Sequence, residues 1–237
     1  MLSSYAKSQR NWFLRSLLLV VAFTSNANGQ TDSISREFWP SVKVHFDLPR
    51  TRLQLSFERH DGEEAKKLQS KFGATFTFRM KRFVKSRLAG VDSEERYYVT
   101  VGAGYEYFQP SGENRLVIQA TPRYAPGAGF LLTDRSRMEF RWLKTSYDFR
   151  YRNKLTIQRS FKVAKLRLTP YASGEIFWAR NLHAFNENQY AFGVQLPFKQ
   201  RMMLDTYLQR QNCNTCSREK VNILGLTLNL FFGRKEK

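Results

Sequence analysis

Arginine and glutamate recur at every second position in two neighbouring stretches of this sequence. Arg135, Arg137, Glu139 and Arg141 share one parity, and Leu132, Met138, Phe140 and Trp142 share the other. In the next stretch Arg150, Arg152 and Lys154 alternate with Tyr147, Phe149, Tyr151, Leu155 and Ile157. Glu175 follows with the parity of Arg167, Thr169 and Tyr171, opposite Leu166, Leu168 and Ile176. Successive side chains of a strand point to opposite faces, so each stretch has one charged face and one apolar face. A concentration of Arg and Glu on one face can do two things. Arg–Glu pairs can brace a polar interior, or surplus positive charge can select anions in a pore. Both readings stand at this stage.

Other chemistry has little footing. His45, His60 and His183 lack the nucleophile and orienting acid that a hydrolytic triad needs, and His60 and His183 are expected in loops. No His/Cys/Asp cluster has metal-ligand spacing. Gly102 and Gly104 have no strand-to-helix phosphate-loop context. We therefore expect no catalytic residue, metal or cofactor. Cys213 and Cys216 make the one C-x-x-C, with no βαβ pattern around it, and read as a small disulfide at a loop tip.

The elements that position the charged faces are strands. Period-two alternation marks 42–48, 52–59, 72–80, 97–107, 114–123, 132–142, 147–158, 165–178, 189–198, 203–211 and 224–232. The last is the clearest: Leu224, Leu226, Leu228, Leu230 and Phe232 fall on one face. Most segments suit a tilted membrane crossing of 9–11 residues rather than an average globular strand of five or six. Aromatic residues gather near their ends, as at Tyr107 and Phe108, Trp142 and Tyr147, and Phe177 and Trp178. An Arg or Lys facing lipid at the bilayer midplane costs about 2–4 kcal/mol, so the arginines must face inward. Arg135, Arg137, Glu139, Arg141, Arg150, Arg152, Lys154, Glu175 and Gln189 are the expected lumen lining.

The fold class is all-β, an antiparallel transmembrane β-barrel. Bacterial barrels have even strand numbers and periplasmic termini, so the eleven segments point to twelve strands, with ten as the alternative. The missing strand is sought at 34–40 or 83–89; otherwise one of the eleven segments is a split or spurious one. Residues 62–70 have room for a helical turn or two. Counting back from the C-terminus, connections 197–202, 159–164 and 123–129 fall on the periplasmic side and 211–219, 179–188 and 109–113 outside. The final strand, with Gly225, Leu228, Leu230 and Phe232, resembles the assembly signal that barrel-assembly machinery reads, although residues 233–237 follow it.

The chain has 237 residues, with 39 Lys+Arg against 20 Asp+Glu and a formal charge of +19. Such a balance calls for an anionic partner. Residues 1–29 exclude nucleic acid: Lys7, Arg10 and Arg15, the apolar run from Leu17 to Phe23, and Ala27 and Gly29 at cleavage spacing read as a secretory signal peptide. Removing it takes three basic and no acidic residues and leaves a mature charge of +16. Residues 30–237 then form one domain. No apolar run reaches the roughly 20 residues of a spanning helix, which leaves a membrane barrel open.

The order of several strands resembles the DUF2490 family of bacterial outer-membrane proteins. Asp134-Arg-Ser-Arg-Met-Glu-Phe-Arg141, Phe149-Arg-Tyr-Arg-Asn-Lys-Leu155, Pro170-Tyr-Ala-Ser-Gly-Glu-Ile-Phe177 and Leu224-Gly-Leu-Thr-Leu-Asn-Leu230 appear in the family's order. One departure is Gln189, where the family pattern has Arg before Gly193. The resemblance covers roughly residues 39–232 and implies an outer-membrane barrel with no established activity.

The leading expectation is an outer-membrane barrel of unknown activity, either a narrow anion-preferring conduit or a structural barrel. Its partners would be outer-membrane lipid and lipopolysaccharide, the assembly machinery and a small anionic solute. The alternatives are a soluble periplasmic all-β protein that binds an anion and, third, a lipid-modifying outer-membrane enzyme.

Overall fold

The alternating segments fold into strands that pair in sequence order and close on themselves. The computed structural model describes residues 34–62, 69–80, 99–163, 166–199, 201–214, 216 and 219–233. The segment 1–29, the candidate strand at 83–89 and most of 62–70 lie outside the described residues. The strands are β1 (Ile34–Asp47), β2 (Thr51–Gly62), β3 (Gln69–Met80), β4 (Val99–Gln109), β5 (Glu113–Gly127), β6 (Phe130–Trp142), β7 (Tyr147–Arg159), β8 (Phe161–Val163), β9 (Leu166–Ala179), β10 (Ala184–Lys199), β11 (Met202–Cys213) and β12 (Lys220–Phe232). The helical content of the described residues is one 3-10 turn, Arg180–Leu182.

Eleven of these strands form the closed barrel, each antiparallel to its sequence neighbour, with β7 and β10 both pairing β9. β8 stands outside it. It pairs with Leu166–Leu168 of β9 alone and extends that hairpin by three residues. The barrel therefore has neither the twelve nor the ten strands expected. An up-and-down sheet with an odd number of strands must close with its first and last strands running the same way. β1 and β12 do so, pairing in parallel from Ile34↔Lys220 to Phe46↔Phe232. Ile34 and Phe232 consequently lie at opposite ends of the barrel, which departs from the expectation of both termini at one end.

The even-number rule failed at β1. Residues 34–40, sought as a separate strand, instead run on into the segment marked at 42–48 and form with it one strand of 14 residues, Ile34–Asp47. The β1–β2 ladder breaks between Phe38 and Ser41, so the proline, which has no N–H to donate, falls in the gap. No further strand separates β3 from β4, because these two pair directly from Ser70↔Gln109 to Met80↔Val99.

The barrel is apolar outside and polar inside. Leu53, Leu55 and Phe57, Phe72, Phe76 and Phe78, Leu116 and Ile118, and Leu224 and Leu226 are exposed on their strands. Among the described residues fifteen polar or charged residues are buried against eleven apolar ones, the reverse of a water-soluble core. Where the inner wall is crowded, glycine makes room. A Cβ on Gly225 would lie 2.0 Å from Tyr207 Cζ, and one on Gly193 would lie 2.5 Å from Tyr171 Cζ. Each tyrosine is the direct cross-strand partner of that glycine, so its ring lies along the wall instead of across the lumen.

Candidate functional site

The charged faces of β4 to β9 meet inside the barrel. Cross-strand register puts Glu139 opposite Arg150, Arg141 opposite Asp148, Arg137 opposite Arg152 and Arg135 opposite Lys154. Two of these pairs are like charges, which directly opposed positions disfavour. Carboxylates from neighbouring positions compensate.

Glu139 is the hub, with 0% of its surface exposed. Its carboxylate accepts from Arg137 Nε at 2.7 Å, Arg150 Nε at 2.8 Å and Arg152 Nη1 at 3.0 Å, and Arg115 Nη1 lies 3.3 Å away. The network continues in both directions. Arg137 Nη2 donates to Glu106 at 2.7 Å, and Arg152 Nε and Arg135 Nη2 both donate to Glu175 Oε1 at 2.9 Å. Toward the β6–β7 turn, Arg115 and Arg141 share Glu113 at 2.8 and 2.6 Å, and Arg141 reaches Asp148 at 3.2 Å. Six arginines thus interleave with five carboxylates. Arg152 and Arg150 also lie over the Phe177 ring, at 4.3 and 5.1 Å from its centroid, and Arg115 lies over Phe108 at 4.1 Å.

The opposite wall carries smaller clusters. Glu58 takes His60 Nε2 and Lys71 Nζ at 2.7 Å each, and His60 stacks on Trp39 with centroids 4.0 Å apart. His60 was expected in a loop. It lies near the end of β2, facing inward, because that strand runs three residues beyond the segment its alternation marked. Asp47 binds Arg52 and Arg79 at the far end of the lumen. His45 is buried, bonded to Asn229 Oδ1 at 3.1 Å and stacked on Phe231. No serine or cysteine nucleophile is bonded to any of these histidines among the described contacts.

Between the walls lies a cavity of about 1020 Å³. It runs from the turns at Ser111 and Lys144 and the loop at Cys216 down to Lys43, Thr75, Arg135 and Lys154. Its lining holds ten Lys or Arg side chains against six glutamates, which leaves it cationic. Arg135, Arg137, Arg141, Arg150, Arg152, Lys154, Glu175 and Gln189 all line it, while Glu139 is sealed behind the arginines. Gln189 stands apart from the hub, donating to Glu187 Oε1 and Gln211 Oε1 at 3.0 Å each. Gly225, Leu228, Leu230 and Phe232 lie on β12 away from this cluster, the last three facing out. Cys213 and Cys216 are joined by a disulfide beside the cavity mouth. They and Glu187 form the one metal-sized acid–thiol group among the described residues, and the disulfide consumes both thiolates a metal would need.

Sequence reasoning missed Lys43, Glu106, Glu113 and Arg115. Lys43 and Glu106 are each a lone charge between apolar or aromatic neighbours, Val42 and Val44 for the first and Tyr105 and Tyr107 for the second, and that parity was the available signal; Glu113 and Arg115 flank Asn114 and had only the alternation of their strand to mark them. The outer face also carries an unforeseen polar cluster. Asn153 Nδ2 donates to Asp134 Oδ1 at 2.6 Å and Ser136 Oγ at 3.3 Å, and Ser136 Oγ meets Tyr151 Oη at 3.1 Å. These groups satisfy one another, which any apolar surrounding requires.

A protein-family model described as "Protein of unknown function (DUF2490)" matches residues 37–222. No curated protein matches the chain. The match spans most of the chain, and the protein belongs to this family.

Proposed function

We propose that this member of the DUF2490 family is an outer-membrane β-barrel of the Gram-negative envelope, exported by a signal peptide at 1–29. Its lumen is a structural brace with a cationic cavity at one end. The inside-out distribution of polarity carries this reading. Apolar side chains cover the outside of strand after strand, and ionic side chains fill the inside. A bilayer supplies the solvent that such an exterior needs, and a closed barrel satisfies its backbone without water. A soluble anion-binding barrel is disfavoured by the same observation, since it would expose these rows of Phe, Leu and Ile to water. A lipid-modifying enzyme lacks a nucleophile beside any described histidine.

Within this reading the brace is favoured over the open conduit. The arginines that would set anion selectivity are already held by Glu106, Glu113, Glu139 and Glu175 at 2.6–3.3 Å. Their charge is spent on cross-linking β4 to β9. The partners are lipid and lipopolysaccharide around the barrel, assembly machinery during insertion and a small anion in the cavity.

Fractionation of cells expressing the full chain tests the location. The expected result is recovery in the washed outer membrane, with a mobility on denaturing gels that changes on heating. Recovery in the soluble periplasm overturns the proposal. Planar-bilayer recording of the purified barrel tests the brace: no steady conductance is expected, and a stable anion-selective current would restore the conduit.

A further inference from the structure

At the inner end of the cavity the pairing of charges stops. Lys43 on β1 and Lys154 on β7 make no hydrogen bond and no ion pair within 4.0 Å among the described residues, whereas each lumen arginine of β5 to β7 that lines the cavity has a carboxylate within 3.3 Å. Arg135 stands beside them, directly across the ladder from Lys154. Its Nη2 is taken by Glu175, but its Nε is buried and has no partner. Lys43 acts electrostatically on Lys154 and Arg135 acts on both, so the three cations face a common region.

Three carboxylates stand near. Glu58, already held by His60 and Lys71, acts on Lys43, Glu175 is shared between Arg135 and Arg152, and Asp205 accepts from Tyr171 Oη at 3.0 Å while feeling both lysines. With Lys71 and Arg152 counted beside Lys43, Lys154 and Arg135, five cations against three carboxylates leave a surplus of two positive charges in a region partly withdrawn from bulk water. Buried charge without a counter-charge is costly. Elsewhere in this lumen the chain supplies the counter-charge itself.

We infer that the inner end of the lumen cavity binds a tetrahedral dianion of the phosphate class through Lys43, Lys154 and the free Nε–H of Arg135. A dianion balances the surplus, and two ammonium groups with a guanidinium N–H offer donors from separate strands, a set that suits several oxygens on one centre. The cavity continues from this point to the turns, so a small organic group esterified to the phosphate has space above it. This inference goes beyond the bracing role and requires the folded lumen, but not the membrane location.

The test is calorimetric titration of the full chain, folded in an uncharged detergent at low fixed chloride, with inorganic phosphate and separately with glycerol phosphate. One saturable site is expected. Lys43→Met and Lys154→Met should each weaken it at least tenfold, Lys154→Arg should retain it, and Lys144→Met at the cavity mouth should leave it within twofold. Tighter binding of the ester identifies a phosphorylated solute, and tighter binding of the free ion identifies phosphate itself. A second readout does not depend on calorimetry: phosphate should raise the unfolding midpoint of the wild type but not that of the Lys43→Met/Lys154→Met double variant. Without phosphate, that variant should melt higher than the wild type because two unbalanced cations are gone. Absence of saturable binding to the wild type, or equal weakening by Lys144→Met, overturns the site. Neither outcome alters fractionation or heat-dependent mobility, which report on the membrane reading separately.

Discussion

Glu139→Gln removes one negative charge from the centre of the lumen with almost no change in volume. Four guanidinium groups contact the carboxylate at 2.7–3.3 Å. Three of them keep another acid: Arg137 has Glu106, Arg152 has Glu175 and Arg115 has Glu113. Arg150 keeps only a 3.8 Å contact with Glu187 and is the group left stranded. Removing one partner from a buried ionic cluster costs about 3–5 kcal/mol. At about 2–4 °C per kcal/mol for a domain of this size, the unfolding midpoint should fall by roughly 6–20 °C. The assay is loss of the fast-migrating folded band, or of the β-sheet circular dichroism signal, against temperature in detergent. Scan rates must be matched, since irreversible unfolding reports a rate. Adding Arg150→Met removes the stranded cation and should restore a substantial part of the loss. Glu187→Gln, whose contact with Arg150 is long, should shift the midpoint far less. A Glu139→Gln midpoint within 2 °C of the wild type, or no rescue by Arg150→Met, would refute the bracing role.

Three other outcomes follow from the same geometry. Arg137→Gln with Arg152→Gln should lower the midpoint by an amount equivalent to about 3 kcal/mol or more without creating or abolishing conductance, as thermal melts and bilayer recordings on the same samples would reveal. Leu226→Arg with Leu228→Arg places two charges on the outer face of β12, at about 2–4 kcal/mol each near a bilayer midplane, and should block membrane insertion. Normal insertion of that variant would contradict the outward parity. Gly225→Ala forces Tyr207 off the wall and should cost about 1–3 kcal/mol by overpacking, a loss that Tyr207→Ala in the same chain should reduce when melts are compared.

Much of this fold was legible because the side-chain period of a strand is two. The parity of Leu224 to Phe232 and of Arg135 to Arg141 requires no knowledge of neighbours, and both faces follow from it. The eleven alternating segments match the eleven barrel strands one for one. What misled was the even-number rule, which took the place of the pairing information that a lone sequence lacks. The pairing within the lumen was equally hidden. Register decides that Arg137 meets Glu106 from two strands away, and no local spacing encodes that contact. Lys43 is one lysine between two valines in the sequence. Its significance comes from Lys154 and Arg135, which approach it only after the barrel closes.

On the proposed reading β12 presents one face to lipid and the other to a polar lumen. Nitroxide scanning decides this, with single cysteines placed in turn at every position from Val221 to Phe231 except Gly225, where a Cβ meets Tyr207, of a Cys213→Ser/Cys216→Ser protein reconstituted in bilayers. Collision with lipid-dissolved oxygen should peak at positions 222, 224, 226, 228 and 230 and fall at 221, 223, 227, 229 and 231. A water-soluble paramagnetic reagent should not reach the central outward positions 224, 226 and 228. Oxygen collision without a period of two, or ready access of the water-soluble reagent to Leu224, Leu226 and Leu228, would contradict a membrane-embedded, inside-out barrel.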